Sequence, residues 1–480
     1  MNDILLLFPS FHEPFNRYPP LGVAYLAATL RERGHAVRIR DAAQYHSLDE
    51  FRTEITFAKP GILGISVLSV HYEKALLAAK IAKQVDPEII VVFGGAHPTA
   101  VPLDCAQQPE VDYIVTGEGE EIFPLLVEGL QGDHDISGIP GIVYRLGQDI
   151  KVQERDNFIS SLDYLPLPAR DLLPMDKYLH SAPTLPLPYP STSIVPSRGC
   201  FGNCRFCQPT LRGLFGRKMR YRSPENVVDE ILQLKHQYGI RGLFFADDEP
   251  TWNKEWMKAF SQEMIDRKVN LRWICPSRVD TVELEMLQIM KRAGCIQVGF
   301  GVETGSQRVM NYYRKGTRVE QVVHAFELCR QAGIIARANI MIGAPEETAQ
   351  DVLETIQLIE AIKPDLIAVS VTTPIVGTDL FHHARLTGLL RKASLSDYDR
   401  FYIGTMKRTL SDDEIRGYIQ EIVATYRNLI LGDLRSFRGL NRRKHLLIHS
   451  ALHWITMLAN PRMLLRDISY YLRYDRKEKD

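Results

Sequence analysis

Residues 193–207 read SIVPSRGCFGNCRFC, a short apolar strand followed directly by a C-x3-C-x2-C motif. Its three cysteines, Cys200, Cys204 and Cys207, would present thiolates, which are soft ligands that suit an iron–sulfur cluster or zinc. Two glycines within the motif let the loop bend closely around a cluster. Three protein ligands leave one iron of a 4Fe–4S cube open, so that a chelating substrate can bind there. The motif therefore predicts a 4Fe–4S cluster with one free coordination site.

Two other interpretations of the cysteine motif stay open. A structural zinc site normally takes four protein ligands, and no fourth cysteine or histidine lies near the motif, so zinc would need a distant histidine. The other interpretation is three buried cysteines without a metal. The chain has only seven cysteines in 480 residues, which is too few for a disulfide framework. This usage favours metal ligation in a reducing compartment, and hence a cytoplasmic protein.

The strand before the motif begins an alternation of strands and helices over residues 192–395. One helix, Pro224–Tyr238, has Ser223 as its N-cap and Gly239 at its end. The predicted strands are Ser193–Pro196, Gly242–Ala246, Arg272–Pro276, Gln297–Gly301, Arg337–Ile342 and Leu366–Val371. Six strands alternating with six helices predict a partial (β/α)6 barrel. Active sites of parallel barrels lie at the carboxyl ends of the strands.

The segments on either side of the predicted barrel differ in character. Residues 1–140 also alternate strands with helices, which predicts an α/β domain with a doubly wound, flavodoxin- or Rossmann-like parallel sheet. Residues 141–191 are rich in proline and without periodicity, apart from a candidate strand at 141–145. Because this linker also contains leucines and tyrosines, we expect it to be ordered along a surface. Residues 396–480 are predicted to be helical.

The overall charge gives no sign of a nucleic-acid partner. Lys+Arg and Asp+Glu both number 58, so the formal net charge is zero. No apolar stretch is long enough to span a bilayer. Within residues 435–470, basic residues adjoin the apolar, Trp-containing stretch HLLIHSALHWITMLANPRMLL. That pattern fits a membrane-surface helix, with peripheral membrane contact and a lipophilic substrate, or alternatively a helical cap over the barrel.

A C-x3-C-x2-C motif after the first strand of a barrel resembles the radical-SAM superfamily, including the aromatic Phe206 before the third cysteine. The resemblance implies that the open iron binds S-adenosylmethionine (SAM), and that an electron from the cluster cleaves SAM to a 5′-deoxyadenosyl radical. It also implies an external electron donor such as flavodoxin or ferredoxin. The cofactor performs this chemistry, and the protein orients and shields it.

Residues at later strand ends resemble the SAM-binding set of that superfamily. Asp247 and Asp248 match the acidic turn that holds the SAM amino group, although a solvated helix N-terminus is an equal alternative. Arg278 matches a partner for the SAM carboxylate, since guanidinium pairs with carboxylate at two points. Glu303 matches the acid that accepts the ribose hydroxyls. The remaining candidates on the fifth strand and at its end are Arg337 and Gly343, where the glycine would let the backbone approach adenine.

A doubly wound domain in front of such a barrel resembles the cobalamin-binding class of radical-SAM enzymes. The matching pieces include YPPLGVAYLAATL, GISVLSV, FGGAHPTAVP and VTGEGEE. The resemblance implies that cobalamin lies against strand-end residues, namely Pro9, Ser66, Ser69, Gly94, Gly95, Thr116, Gly117 and Glu118. The alternative is a nucleotide-binding or purely structural domain, although no G-x-G-x-x-G follows the first strand. The D-x-H-x-x-G motif is absent, and His12 is more consistent with a surface histidine than with an axial ligand of cobalt.

The resemblance implies a methyltransferase that acts on an unactivated carbon of a small molecule, with a 4Fe–4S cluster, SAM and cobalamin as cofactors. Two other functions stay open. One is a non-methylating enzyme with the same cofactors, carrying out a cyclisation, rearrangement or oxidation, as the anaerobic cyclase of bacteriochlorophyll biosynthesis does. The other is a non-catalytic cofactor-binding or sensor protein.

Overall fold

The computed structural model describes residues 3–13, 18–132, 135–155, 158–179, 187–391, 394–395, 398 and 402–435. These residues form two mainly parallel sheets, each covered by helices, and a small two-stranded ribbon beside the cysteine loop. The basic, Trp-containing stretch that we considered for membrane contact lies almost wholly outside the described residues.

The first sheet has seven strands in the order β2-β1-β3-β4-β5-β6-β7. Its strands are β1 Ile4–Phe8, β2 Val37–Asp41, β3 Ile62–Ser66, β4 Ile90–Gly94, β5 Tyr113–Val115, β6 Ile142–Leu146 and β7 Asp149–Val152. Its helices are α1 Leu21–Glu32, α2 Leu48–Ala58, α3 Tyr72–Val85, α4 Ala96–Ala100, α5 Pro102–Ala106 and α6 Gly119–Leu130. Strands β1 to β5 are parallel, so the predicted doubly wound fold is confirmed.

Strands β6 and β7 add an antiparallel hairpin to the edge of this sheet. Strand β6 matches the candidate strand at 141–145, whereas β7 was not predicted, and the first sheet therefore extends beyond residue 140. Strand β6 pairs with β5. Ile142 and Val143 are buried in the sheet, while Leu146 is exposed next to the turn.

The described part of the chain between residues 153 and 190 includes three short 3-10 turns, Leu162–Tyr164, Arg170–Leu172 and Met175–Lys177. Leu162, Leu173 and Tyr178 are buried along it, and the Tyr178 hydroxyl donates to Asp41 Oδ2 at 2.6 Å. Arg170 donates from Nη2 to Glu230 Oε1 on the barrel at 2.7 Å. Buried polar contacts therefore hold this part of the chain against both domains.

The second sheet is a six-stranded open barrel, as predicted. Its strands are β8 Ser191–Ile194, β11 Gly242–Phe245, β12 Arg272–Ser277, β13 Cys295–Glu303, β14 Ile335–Ile342 and β15 Leu366–Val371, with the ribbon β9 Ser197–Arg198 and β10 Arg220–Tyr221 beside β8. Its helices are α7 Thr210–Phe215, α8 Pro224–Tyr238, α9 Lys254–Asp266, α10 Leu284–Arg292, α11 Gln307–Tyr312, α12 Val319–Ala332, α13 Ala349–Ile362 and α14 Asp379–Leu386, followed by α15 Asp412–Leu434. All neighbouring strands are parallel and follow chain order.

Local sequence explains why the barrel helices begin and end where they do. Ser223 accepts a hydrogen bond from Asn226 N at the start of α8, and Gly239 ends that helix in the left-handed conformation. Thr348 and Asp351 form a capping box at the start of α13. These caps set the bounds of α8 and α13. In the described part of the chain, no helix combines the length and the apolar character that crossing a membrane requires.

Candidate functional site

The carboxyl ends of the two sheets face one cavity of about 260 Å³. The first domain lines it mainly with small and apolar residues of β1, α1, β3 and β4 and of the loops that follow, including Leu6, Gly64 and Gly94. The barrel lines it with residues that follow β8 and β11, including Ser197 and Asp247. The carboxyl ends of both sheets thus border the same space. In parallel α/β folds, ligands bind at these ends of the strands.

The cysteine loop leaves β9 and turns tightly between Cys204 and Cys207. Cys204 is buried, and Cys200 and Cys207 are half-buried. The amide of Cys207 donates to the carbonyl of Cys204 at 3.0 Å. A Cβ added at Gly202 would lie 3.3 Å from Cys200 Sγ and 3.6 Å from Cys204 Sγ. The glycine therefore keeps side-chain atoms out of the space between these two sulfurs, which fits a loop folded around a cluster.

Burial raises the pKa of the Cys200 thiol to about 11. It also raises the pKa of the Cys204 thiol. Metal ligation requires thiolates, and the loop by itself opposes their formation. The positive charge of bound iron would offset that cost. The donor set consequently suits a cationic centre.

Three consecutive acids follow β11, and all three carboxyls have a raised pKa. Burial raises the pKa of Asp247 to about 7 and that of Asp248 to about 6. Asp247 accepts from Ser197 N and Oγ at 2.8 and 2.7 Å, and so ties β11 to the start of the cysteine loop. Asp248 accepts from the amide of Gly199. These acids are therefore built into the cysteine loop, in contrast to the solvated helix N-terminus that was the alternative.

Glu249 is the third acid, and it was not among the residues predicted from the sequence. It is only 2% exposed, and burial raises the pKa of its carboxyl. Its Oε1 accepts from Thr251 Oγ1 at 2.6 Å and from Thr281 Oγ1 at 3.2 Å. The signal in the sequence that could have identified Glu249 is its position directly after Asp248. A buried carboxylate bonded to hydroxyls is a good partner for a ligand ammonium group, because an opposite charge stabilises it.

Arg278 and Glu303 both lie beside the cysteine loop, but each already has a partner. Arg278 binds Asp280 through Nε at 2.9 Å and Nη2 at 2.8 Å. Its Nη1 lies 3.6 Å from the position of a Cβ at Gly202. Glu303 pairs with Lys315, Oε1 to Nζ, at 2.7 Å, and both side chains are buried. Lys315, which the sequence analysis did not select, lies over the ring of Phe206 at 6.0 Å.

Gly343 lies just beyond the carboxyl end of β14, whereas Arg337 lies near its amino end. Gly343 follows the strand in the left-handed conformation, with φ of 89°. Its carbonyl accepts from Arg408 Nε at 2.8 Å, and its amide donates to Glu347. Arg337 pairs in register with Gly299 and lies five residues before the end of the strand. At about 3.3 Å per residue this is roughly 16 Å from the carboxyl end, so the structure does not bring Arg337 to the strand end with the others.

Glu347 yields a prediction about pH and stability. Burial raises its pKa from the usual 4.5 to about 7, although Gly343 and Ala344 donate to it. Between these values the folded protein keeps a proton that the unfolded chain releases, so stability falls as the pH rises from about 4.5 to about 7. Glu347→Gln keeps an acceptor for both amides and removes this loss. We expect the variant's melting temperature, relative to the wild type, to rise across that window and then level off.

An exposed variant is the control for this measurement. The Glu255 side chain is 86% exposed. Glu255→Gln removes the same charge at a position outside the turn that contains Gly343 and Glu347. A constant difference in melting temperature between Glu347→Gln and the wild type from pH 4.5 to 7 would contradict the prediction.

Five of the eight residues proposed for cobalamin line the cavity. These are Ser66, Gly94, Gly95, Gly117 and Glu118. Gly95 has φ of 97°, and a Cβ there would lie 3.2 Å from the backbone of Val67, so only glycine fits this close approach. The other three, Pro9, Ser69 and Thr116, do not line the cavity. Ser69 Oγ lies 3.0 Å from His97 Nδ1, and Thr116 Oγ1 donates to the carbonyl of Gly141 at 2.9 Å.

His12 lies on the surface, as the sequence analysis favoured. It is exposed and has φ of 61°. It is not one of the described residues that line the cavity.

Glu118 is the centre of a buried ion-pair cluster between the domains. Its Oε1 accepts from Arg198 Nη1 at 2.9 Å and its Oε2 from Arg220 Nη1 at 2.8 Å. Arg155 lies 3.8 Å away, and Glu120 takes the second nitrogen of Arg198 at 2.5 Å. Arg198 stands two residues before Cys200. The turn that follows β5 is therefore bonded directly to the base of the cysteine loop.

These observations test whether the residues fit the cofactors that the sequence suggests. The cysteine loop keeps the space between two of its sulfurs clear at Gly202. The acids after β11 fit the ammonium of SAM, because burial disfavours their charged form and a bound cation would offset that cost. The first domain contributes a glycine-lined, mostly apolar wall to the cavity at its strand ends, and a large flat ligand can lie against such a wall. The chemistry of the residues present therefore suits all three groups.

Comparisons with known proteins agree with this geometry. The B12 binding domain model matches residues 12–127, and the Radical SAM superfamily model matches residues 194–359. The chain is 34% identical over 394 residues to an uncharacterised methyltransferase of Pyrococcus horikoshii, covering 81% of this chain and 84% of that protein. It is 31% identical over 447 residues to the anaerobic magnesium-protoporphyrin IX monomethyl ester cyclase of Rubrivivax gelatinosus, covering 89% and 77%.

A solved structure has the same fold over almost the whole chain. It is that of the radical S-adenosylmethionine methyltransferase TsrM of Kitasatospora setae, with cobalamin and a 4Fe–4S cluster bound. The TM-score is 0.70 at 18% identity, and the match covers 95% of this chain and 99% of that chain.

The cysteine loop after the first strand of the open barrel, with the family match over residues 194–359, identifies the chain as a radical-SAM enzyme. More narrowly, the chain belongs to the radical-SAM enzymes that carry an amino-terminal B12-binding domain. A 4Fe–4S cluster, SAM and cobalamin are the cofactors of this class.

Proposed function

We propose that this protein is a cobalamin-dependent methyltransferase that places a methyl group on an unactivated carbon of a small molecule. The observation that carries the proposal is the single cavity shared by the carboxyl ends of both sheets. When bound, the cluster supplies the electron that cleaves SAM to a 5′-deoxyadenosyl radical, and cobalamin supplies the methyl group. A cavity between the two sites is the place where a substrate carbon can reach both.

The chain's own residues would hold, orient and shield the reactants. Cys200, Cys204 and Cys207 would ligate the cluster. Asp248 and Glu249 would hold the SAM ammonium, and Arg278 Nη1 would face the SAM carboxylate. Hydrogen bonds from Ser197 to Asp247 keep the cysteine loop and the acidic turn in one unit. The first domain lines one side of the cavity, and it would limit the access of water.

The proposal is tested with SAM labelled on its methyl group. Purified protein is reconstituted anaerobically with iron, sulfide and hydroxocobalamin, reduced, and supplied with candidate substrates. We expect 5′-deoxyadenosine from SAM, and label in the product. Failure of the reduced, fully loaded protein to cleave SAM would contradict the proposal and favour a non-catalytic cofactor-binding protein.

A non-methylating reaction is the second candidate, because one relative at 31% identity is named a cyclase. The two functions use the same cofactor sites and differ in the fate of the methyl group. A product that forms in step with 5′-deoxyadenosine but carries no label would favour cyclisation, rearrangement or oxidation.

The glycine-lined cavity gives a separate prediction for cobalamin. A Cβ at Gly94 would meet only ordinary contacts, 3.5 Å from the Val115 carbonyl oxygen and 3.9 Å from Val115 Cβ. The strand therefore accepts a Cβ at residue 94, and the two further methyl groups of Gly94→Val would fill part of the cavity. We expect its affinity for hydroxocobalamin, measured by absorbance titration, to fall about tenfold or more, which corresponds to roughly 1.4 kcal/mol. Cluster content should be unchanged.

Gly138→Val is the matched control for the cobalamin measurement. Gly138 is exposed, and a Cβ there would meet nothing within 4 Å. Wild-type affinity in Gly94→Val would mean that cobalamin does not use this part of the cavity.

The remaining partners follow from the chemistry. The substrate is a small molecule that enters between the domains. The electron comes from an external one-electron carrier such as flavodoxin or ferredoxin.

A further inference from the structure

Helices α4 and α7 connect the two candidate cofactor sites. Helix α4 begins directly after Gly95, which lines the cavity, and α7 begins three residues after Cys207. The two helices pack against each other, although one belongs to the first domain and the other to the barrel. A shift of one helix against the other would therefore move the glycine-lined wall of the cavity relative to the cysteine loop.

Thr99, on α4, holds the glycine-lined wall through its hydroxyl group. Its Oγ1 donates to the carbonyl of Gly95 at 2.7 Å and accepts from the amide of Gly117 at 2.9 Å. A bond to the carbonyl four residues earlier is common for threonine in a helix, but the bond to Gly117 reaches the turn after the neighbouring strand β5. One hydroxyl group therefore ties together two turns that line the cavity.

The methyl group of Thr99 lies against α7. A Cβ added at Gly213 would be 3.3 Å from Thr99 Cγ2, which is closer than an ordinary van der Waals contact. The backbone of Gly213 is helical and does not have a positive φ. Its conformation would accept other residues, so the close approach of Thr99 is the physical reason for a glycine at this position.

A turn after β15 packs against the same pair of helices. Gly377 has φ of 85°, and a Cβ there would overlap Ala100 Cβ on α4 and lie 3.2 Å from Thr210 Oγ1 on α7. The last two residues of α7, Leu214 and Phe215, line the cavity. The two helices thus meet in a closely packed junction that borders the cavity.

We propose that the contact between Thr99 and Gly213 sets the position of the cobalamin-binding wall relative to the cluster, and that methyl transfer depends on this position. The inference rests on the proposed function. Thr99 and Gly213 are positioning residues, because neither lines the cavity. A side chain added at a close-packed contact forces the backbone to shift. A misplacement of about 1 Å can lower the rate of a reaction about 100-fold.

Gly213→Val tests the inference, because its side chain would push α4 away from α7. We expect normal iron content and unchanged affinity for hydroxocobalamin, since residue 213 lies outside the cysteine loop and does not line the cavity. The reaction is run with methyl-labelled SAM and a substrate that the wild type methylates. The label found in the product per 5′-deoxyadenosine formed should fall about tenfold or more.

A spectroscopic measurement gives a readout that does not depend on turnover. In protein that contains cob(II)alamin, a reduced cluster speeds the relaxation of the cobalt electron spin, and this enhancement falls steeply as the two centres separate. Microwave power saturation should show a smaller enhancement in Gly213→Val than in the wild type. Thr99→Ser removes Cγ2 and keeps the hydroxyl group. Its addition to Gly213→Val should recover part of both the enhancement and the label ratio.

Gly417→Val is the matched control. Gly417 is an exposed residue within α15, and a Cβ there would meet nothing within 4 Å. This variant makes the same change in a helix far from the junction in the chain, and both readouts should stay at the wild-type level.

Four results would overturn the inference. One is an unchanged enhancement and label ratio in Gly213→Val. The others are an equal loss in Gly417→Val, a loss that Thr99→Ser does not relieve, and a loss of iron or of cobalamin affinity in Gly213→Val, which would mean that the contact supports a site directly. If the wild type transfers no label to any product, the proposed function itself fails, whereas the relaxation measurement still tests the spacing.

Discussion

Cys204→Ala is expected to abolish the cluster and all cleavage of SAM, while leaving the affinity for hydroxocobalamin unchanged. Cys204 is the most buried of the three loop cysteines, at 7% exposure. With only two thiolates left, two irons of a 4Fe–4S cluster would lack a protein ligand, and the cluster would not assemble. Iron content should fall from about four per chain toward zero, together with the visible absorbance of the cluster. The same loss is expected for Cys200→Ala and Cys207→Ala.

A second cysteine of the barrel provides the control. Cys329 is fully buried in α12 and lies in the hydrophobic core, away from the loop. Cys329→Ala should keep the full iron content and full SAM cleavage, at a small cost in melting temperature. Loss of corrinoid binding together with the cluster in Cys204→Ala would contradict the assignment of the two cofactors to separate domains.

The second large effect is expected from Glu118→Gln. The Glu118 side chain is completely buried and accepts hydrogen bonds from Arg198 and Arg220. The amide has nearly the same shape but no charge, so the buried guanidinium groups lose part of their compensation. Breaking a buried ion pair in this way costs about 3–5 kcal/mol. We expect a clear drop in the midpoint of thermal or denaturant unfolding.

The control for Glu118→Gln removes a carboxylate from the surface. Asp229 pairs with Arg267 at 2.6 Å, and the Asp229 side chain is 63% exposed. Asp229→Asn should cost no more than about 1 kcal/mol, because exposed ion pairs contribute little. Equal losses in the two variants would mean that the Glu118 cluster is not a major support. A normal unfolding midpoint with weakened corrinoid binding would instead mean that Glu118 acts only as a cobalamin ligand.

Local patterns were enough to predict most of the fold. Helix α8 has the predicted bounds because Ser223 and Gly239 mark its ends in the sequence itself. The six barrel strands were found because each is a short apolar run between helices of regular period. Strand β6 was expected as a candidate strand at 141–145, but β7 was not predicted, for the opposite reason. Residues 149–152 alternate only weakly and carry exposed charges, so pairing with β6 holds them in the sheet.

The site could be predicted only where neighbouring residues carry the signal. The cysteine loop and Asp247 are local in the sequence. The pairing of Glu303 with Lys315 was not predicted, and the partners of Glu118 are still more distant, since Arg198 lies 80 residues further along the chain. Partners at such separations are chosen by the fold, and no spacing rule reveals them. Arg337 shows the same limit, because position along a strand decides which level of the barrel a side chain reaches.

The ion-pair cluster around Glu118 restricts how this chain can be dissected or recombined. Cutting between the first sheet and the barrel would leave Glu118 and Glu120 on one fragment and Arg198 and Arg220 on the other. Each fragment would then expose a patch of like charges that burial had paired, so neither is a good candidate for separate expression. A chimaera that takes its amino-terminal half from a relative would have to exchange both halves of this charge set together.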